Sequence, residues 1–215
     1  MYLPKLARHA ASILALFSPW DDSQWVASDD TVRGGKSHSS LEIIQPGTPS
    51  NPFKQPIARF HGTLDYATLG GSGFASQRTV DDWAGLDLTE YDSIILDIAY
   101  ADEKTYTFNI KDTVLPPLEN GAEQATISWA YDFQVPATQE KESISRVTIK
   151  FQDLVPTYRG RVLNDTEPLD LANIVRINIM IRSFFAEQDG AFELGIKSIT
   201  ARNQSHKSPK FKSLL

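Results

Sequence analysis

The sequence predicts an all-β protein, a sandwich or barrel with few helical residues. Three observations carry that prediction. Apolar and polar residues alternate in many short runs, turn-forming clusters separate the runs, and no stretch sustains the 3.6-residue period of an amphipathic helix. The 215 residues and 24.0 kDa suit one domain or at most a small pair, since β-sandwiches reach about 200–250 residues as a single unit. A chain of this length buries roughly 70% of its unfolded surface, so a core forms without a metal or a disulfide.

In chain order, the sequence opens with Lys5, Arg8 and His9 and no acid, then runs apolar from Ala10 to Phe17 with one break at Ser12. That run falls short of the about 20 residues a membrane span needs. Residues 1–17 read as an N-terminal arm, either a short organelle-targeting segment or a short helix or loose arm capping the domain. Trp20 and Trp25 flank Asp21-Asp22-Ser23, a loop whose aromatics are expected to plug one end of the core. Ser28 to Ser39 then gathers Asp29, Asp30, Arg33, the pair Gly34-Gly35 and several hydroxyls into a dozen residues, a tight turn or a close backbone approach.

Strand-like sequence begins over residues 40–45, and Gly47 to Pro56 is a proline-rich loop. Ala58, Phe60, Gly62 and Leu64 alternate with Arg59, His61 and Thr63 as in a half-buried strand. A glycine-rich turn at Leu69–Phe74 leads into residues 75–80, and Trp83–Tyr91 reads as a turn or one helical turn with Leu86 and Leu88 tucked in. Ile94, Leu96, Ile98 and Tyr100 alternate, as do Tyr106, Phe108 and Ile110, so Ala101–Lys104 reads as a hairpin turn. Residues 113–124 form a connector. Trp129, Tyr131 and Phe133 share one strand face, Val147, Ile149 and Phe151 another, and Val175, Ile177, Ile179 and Ile181 a third. Phe192, Leu194 and Ile196 shift phase to Ile199, which predicts a bulge. The lysine-bearing tail 203–215 has too little apolar surface to order itself and is expected to be disordered. Residues 18–202 are thus expected to form the single sandwich domain.

Composition excludes several chemistries. There is no cysteine, which removes thiolate catalysis, cysteine-based zinc sites and disulfides, and suits a reducing compartment. A net charge of −6 and a pI near 5.2 argue against a general nucleic-acid binder. The four histidines, His9, His38, His61 and His206, lie far apart with no paired-ligand spacing. No Gly-x-Ser-x-Gly occurs, and the glycine-rich Leu69–Phe74 opens onto a β pattern where a phosphate loop opens a helix. No metal, no cofactor and no catalytic residue is therefore expected. Neighbours in a strand point to opposite faces, so at most one acid of Asp29-Asp30 or of Asp81-Asp82 faces a given site. Acids in such loops ordinarily hold the backbone through side-chain hydrogen bonds. Arg159 and Arg161, two apart around Gly160, suit either a bound carboxylate or phosphate or an internal pairing with Asp29, Asp30 or another acid.

Taken together, the motifs resemble the complex I intermediate-associated proteins, the thirty-kilodalton assembly factor of mitochondrial NADH:ubiquinone oxidoreductase. The resemblance runs through Trp25, Ser28-Asp-Asp-Thr-Val-Arg-Gly-Gly-Lys-Ser37, Phe60-His-Gly-Thr-Leu64, Gly73-Phe-Ala-Ser-Gln-Arg78, Asp87–Asp92 and Tyr106–Asp112. It continues through Trp129–Phe133, Val147–Phe151, Tyr158-Arg-Gly-Arg161, Leu169–Ile181 and Gly190–Ala201, covering about residues 17–202. It implies a jelly-roll β-sandwich of the galactose-binding-domain-like type. It also implies a non-enzymatic, chaperone-like role: binding complex I assembly intermediates or other assembly factors in the mitochondrial matrix. That family usually carries a long N-terminal extension with a presequence, whereas fewer than twenty residues precede the domain here; a cytoplasmic location on some other multiprotein complex is the alternative. Nucleic acid is not an expected partner, and no membrane span is expected, although peripheral association with a membrane is compatible. The residues expected at the functional loop end are Asp30, Arg33, Arg78, Arg159 and Arg161. The competing readings are a carbohydrate- or small-ligand-binding module using Trp20, Trp83 or Trp129 as stacking rings, and a hydrolase on the same scaffold.

Overall fold

The computed structural model describes residues 12–119, 123–136 and 143–203. Among them, two antiparallel sheets pack face to face. Sheet I follows the order β3 (His38–Ile44), β4 (Ile57–Leu64), β13 (Gly190–Arg202), β6 (Ser93–Ala101) and β9 (Ser145–Lys150), with β1 (Ile13–Phe17) also paired to β13. Sheet II follows β11 (Arg161–Val162), β10 (Val155–Tyr158), β8 (Ser128–Gln134), β7 (Thr105–Lys111), β12 (Arg176–Arg182), β5 (Phe74–Thr79) and β2 (Trp25–Ala27). Helical structure among the described residues is confined to short 3-10 turns, such as Asp30–Arg33 and Leu171–Asn173. The architecture is the β-sandwich that the alternation predicts.

The core fills the space between the sheets with the alternating residues of both. Phe60, Ile94, Leu96, Ile98, Leu194, Ile196 and Ile199 come from sheet I; Tyr106, Phe108, Ile110, Ile177, Ile179 and Ile181 come from sheet II. At one end Phe17 packs 4.7 Å from Trp25 and 5.6 Å from Trp20, centroid to centroid, with Trp83 at 6.2 Å. This is the aromatic plug read from the Trp20–Trp25 loop. In β13 the pairing with β6 shifts register between Gly195 and Ser198, which is the predicted bulge and lets one long strand follow the curvature of its neighbours.

Two expectations change. Residues Ile13–Phe17, expected within a helix or loose arm, form a strand against Ile199–Arg202 of β13, and Phe17 is buried. β13 outlasts β4 by several residues, and β1 takes up the edge that β4 leaves. The 101–104 turn is not a hairpin: β6 lies in sheet I and β7 in sheet II. Two apolar faces that must meet each other cannot lie side by side in one sheet, so the chain arches over the core. Asp102 holds the arch, accepting from Tyr106 Oη at 2.8 Å and from Glu193 N on β13 at 2.9 Å. Most of the tail 203–215 and residues 1–11 lie outside the described residues.

The margin where β3 of sheet I meets β5 of sheet II is built by Asp29 and Asp30. Asp29 accepts from Ser39 N at 2.9 Å, Ser39 Oγ at 2.7 Å and Ser76 N at 2.8 Å. Asp30 accepts from Ser37 N at 3.0 Å, Ser37 Oγ at 2.7 Å and Phe74 N at 3.1 Å. Each carboxylate thus ties one sheet to the other, and charge-assisted bonds to backbone amides are among the stronger kinds. Gly35 is required next to this pair, since a Cβ there would stand 2.1 Å from Asp30 Oδ1. Removing the Asp30 carboxylate leaves the amides of Ser37 and Phe74 without acceptors in a dry seam, and each such donor costs about 1–3 kcal/mol. Asp30→Ala is therefore expected to lose at least about 2 kcal/mol in urea denaturation. Asp22→Ala, an exposed loop change, should stay within about 0.5 kcal/mol.

Candidate functional site

On sheet II the inward isoleucines and aromatics leave a second set of side chains on the outer face. Register places Ser76 and Arg78 of β5 beside Met180 and Asn178 of β12, then Thr107 and Asn109 of β7, then Asp132 and Ala130 of β8. The row is polar, yet Ser76, Thr107, Asn109 and Asn178 are buried. Its members satisfy one another: Asn109 Nδ2 donates to Asn178 Oδ1 at 3.1 Å, and Thr107 Oγ1 to Asp132 Oδ1 at 2.6 Å.

One end of this face carries a tight ion cluster. Arg176 reaches Glu123 Oε1 and Asp81 Oδ1, both at 2.6 Å, and Arg78 reaches Asp81 Oδ1 at 2.9 Å and Glu123 Oε2 at 3.3 Å. Lys111 Nζ stands 3.8 Å from Glu123 Oε1 and donates to Thr126 Oγ1 at 3.1 Å. Burial pushes the Lys111 ammonium pKa below its ordinary value; Glu123 opposes that shift, and Arg176 and Arg78 add to it. Glu123 belongs to the long connection between β7 and β8, so the cluster pins that connection onto the sheet. The other end carries Arg182, paired with Asp132 at 2.5 Å and stacked 4.4 Å over the Phe184 ring.

The five residues expected at one loop end separate into different environments. Asp30 has no exposed surface, and its carboxylate is taken up in the seam. Arg33 is exposed and lies 5.4 Å over the Phe74 ring, next to that seam. Arg78 is enclosed in the ion cluster near the other end of β5, about 13 Å along the strand at 3.3 Å per residue. Arg159 and Arg161 occupy the hairpin between β10 and β11, and β8, β7 and β12 separate β10 from β5. The structure brings Asp30 and Arg33 together and leaves the other three apart from them.

Arg159 and Arg161 are exposed, and among the described residues neither has an ion-pair partner. The aspartates considered as internal partners lie across the sheet, already saturated by amides and hydroxyls. Arg159 and Gly160 have φ of 51° and 76°, the two positive values that a two-residue primed hairpin turn demands. Arginine there is strained where Asn-Gly fits. Tyr158, with Arg159 Cζ 5.5 Å over its ring, and Val162 are exposed beside it.

Sequence reasoning missed Glu123, Lys111 and Arg176 as one unit, because their contacts join a connector to two strands. It also missed Phe184-Phe185-Ala186, three consecutive residues at φ of 47°, 61° and 71°. Phe185 is 80% exposed at the apex, while Ser183 and Gln188 clamp the base: Ser183 Oγ accepts from Gly73 N at 3.0 Å, and Gln188 Oε1 accepts from Thr105 N at 3.0 Å. Two aromatics in an otherwise polar loop were the available signal. Of the tryptophans expected as stacking rings, Trp20 is only 6% exposed and donates Nε1 to Lys197 O at 3.1 Å, and Trp83 and Trp129 pack half-buried against the core. Among the described residues no three acidic or histidine side chains converge as metal ligands.

Three outcomes follow from these environments. Glu123→Ala leaves Arg176 undercompensated and is expected to cost about 2 kcal/mol or more, whereas Lys111→Met should stabilise the protein at neutral pH. Because the folded-state pKa of Lys111 is lowered, the native protein gains stability as pH rises from that lowered value towards 10.5, where the unfolded lysine still holds its proton. The advantage of Lys111→Met should therefore shrink across that alkaline window in paired urea titrations. At the hairpin, Arg159→Asn should raise stability by about 0.5–1 kcal/mol by relieving the left-handed strain.

Comparison with known proteins places this geometry. A solved family 11 carbohydrate-binding module from Clostridium thermocellum, in complex with a β-1,3-1,4-mixed-linked tetrasaccharide, superposes with a TM-score of 0.57. It shares 15% identity, and the match covers 88% of this chain and 94% of that one. The family 11 module of the Clostridium thermocellum cellulosomal cellulase Lic26A-Cel5E gives a TM-score of 0.50 at 17% identity, over 89% and 94% of the two chains. At such identities the likeness concerns the fold, a jelly-roll sandwich. An uncharacterized protein of Schizosaccharomyces pombe is 40% identical over 182 residues, 85% of this chain and 79% of that protein. The model of the complex I intermediate-associated protein 30 family matches residues 16–196, and the chain belongs to that family.

Proposed function

We propose that the protein is a non-enzymatic, chaperone-like assembly factor that binds intermediates of mitochondrial respiratory complex I, or of a related multiprotein complex, in the matrix. The observation that carries this reading is the β10–β11 hairpin. Among the described residues Arg159 and Arg161 have no ion-pair partner; they stand beside exposed Tyr158 and Val162 on a rigid turn, and Arg159 is held in a strained conformation. Arginine and tyrosine dominate the energetic centres of protein interfaces, and a preformed loop loses little entropy on binding. Family membership supplies the class of partner. Arg33 over Phe74 and the raised Phe185 add exposed contacts elsewhere on the same sheet. No helix among the described residues is long and apolar enough to cross a membrane.

The test is complementation. A strain lacking the protein should accumulate incomplete complex I, and the native chain should restore assembly and co-purify with subcomplexes from mitochondria. Arg159→Glu with Arg161→Glu should fold, with an unchanged urea midpoint within about 0.5 kcal/mol, and fail to restore assembly. Normal complex I in the deletion strain, or absence of the protein from mitochondria, would overturn the complex I assignment.

A further inference from the structure

β3 is one outer strand of sheet I, with β9 at the opposite margin, and its backbone alternates between two sides. Ser37 N and Ser39 N turn away from β4 to reach Asp30 and Asp29. Pairing runs from His38↔Thr63 to Ile44↔Ile57, so the even-numbered residues exchange hydrogen bonds with β4 and the odd-numbered ones face outward. By that parity Leu41 and Ile43 present N–H and C=O at the open edge. Among the described residues these groups have no hydrogen-bond partner. The side chains of Leu41 and Ile43 pack against the core, which fixes the backbone that carries the open groups.

A groove of about 480 Å³ runs along this edge, lined by Leu41, Glu42, Ile43 and Gln45 on the strand and by Trp20, Asp21 and Asp22 across from it. Glu42 is paired with Arg59 at 3.2 Å. Asp21 and Asp22 are exposed, and no cation pairs with either among the described residues. At the other end of β3, Asp29 and Asp30 already occupy the amides of Ser39 and Ser37, so a guest strand can extend no further in that direction.

We propose that β3 accepts an added β-strand, an extended basic segment of a protein partner that pairs with the backbone of Leu41 and Ile43 and sets a lysine or arginine against Asp21 and Asp22. Strand addition draws affinity from main-chain hydrogen bonds and selectivity from what flanks them. Four open backbone groups suit a guest of about four or five residues. A second copy of this chain is the wrong guest, because edge-to-edge pairing of two β3 strands would bring their Asp21-Asp22 walls together. β2 and β11, outer strands of sheet II, have three and two residues and offer too little edge. This surface is separate from the arginine hairpin and stands or falls without it.

The experiment is residue-resolved amide exchange on the full chain with blocked nonapeptides of alternating lysine and valine or alternating glutamate and valine. In the free protein the Leu41 and Ile43 amides should exchange fast while those of Ser40 and Glu42 are protected. The lysine peptide should slow Leu41 and Ile43 at least tenfold, and the glutamate peptide should leave them unchanged. Asp21→Asn with Asp22→Asn should weaken lysine-peptide binding about fivefold, the size expected of two exposed ion pairs. Ile43→Pro, which removes an outward N–H that β4 does not use, should abolish it. Protection of both amides in the free protein overturns the proposal, as does equal binding of the glutamate peptide. So does binding indifferent to the Asp21/Asp22 change, which keeps the test decisive if Ile43→Pro fails to fold. Protection that grows with protein concentration alone assigns the edge to self-association and also overturns it.

Discussion

Two adjacent buried carboxylates hold the margin of the sandwich together. Asp29 is extended and Asp30 opens the 3-10 turn, so the two carboxylates point apart and meet different pairs of partners. One takes Ser39 and Ser76, the other Ser37 and Phe74, and each pair spans both sheets. The rest of the Ser28–Ser39 stretch serves this arrangement. Gly35 makes room for the carboxylate, and the 3-10 turn Asp30–Arg33 ends at Gly34 with φ of 81°. The same seam decides how far the β3 edge is open, because the amides it occupies are those nearest the seam. A motif dense in polar chemistry therefore turns out to be architecture, and its functional consequence is indirect: it sets Arg33 at the surface and defines one end of the free edge.

The charges divide by whether the fold consumes them. Arg78, Arg176 and Lys111, themselves little exposed, face the partly exposed Glu123 and the exposed Asp81, and Glu123 ties the β7–β8 connection to the sheet. Breaking such a cluster leaves a charge in low dielectric, which is why it is structural even though its members are the residue types that bind anions. Arg159 and Arg161 are chemically the same and physically the opposite. They stand in solvent on a two-residue turn, and among the described residues no acid pairs with either. The raised turn at Phe184–Ala186 follows the same logic with aromatics: three left-handed residues in a row persist only because Ser183 and Gln188 clamp the base.

Much of the fold was legible in one dimension because burial on a pleated surface imposes a period of two. The runs at Ala58–Leu64, Ile94–Ile98, Tyr106–Ile110 and Ile177–Ile181 became strands with the expected inward residues, and the phase change after Ile196 became the bulge. Tyr100, expected inward, pairs with Gly195 across that bulge and turns to the outer face beside Arg59 and Glu193, and Val175 precedes its strand. The two misread segments share a cause. Ile13–Phe17 and the 101–104 turn are defined by which strand or sheet the chain joins next, and alternation says nothing about that choice.

For the site, residue types in the sequence narrowed the chemistry: no cysteine, scattered histidines and no nucleophile motif directed attention to arginines and acidic loops. Which arginine is free was decided only in three dimensions. Asp81 lies within three residues of Arg78, but Glu123 arrives from a distant part of the chain and, with Asp81, neutralises both Arg78 and Arg176, while among the described residues no acid pairs with Arg159. The sequence by itself determined most of the longer strands, most of their inward faces and the absence of thiol chemistry, because those follow from local period and composition. The tertiary structure alone decided sheet membership, the two-aspartate seam, the enclosed ion cluster and the open edge of β3. Each of these depends on which remote group a side chain or backbone amide meets, and Coulomb and hydrogen-bond energies are set by that distance rather than by position along the chain.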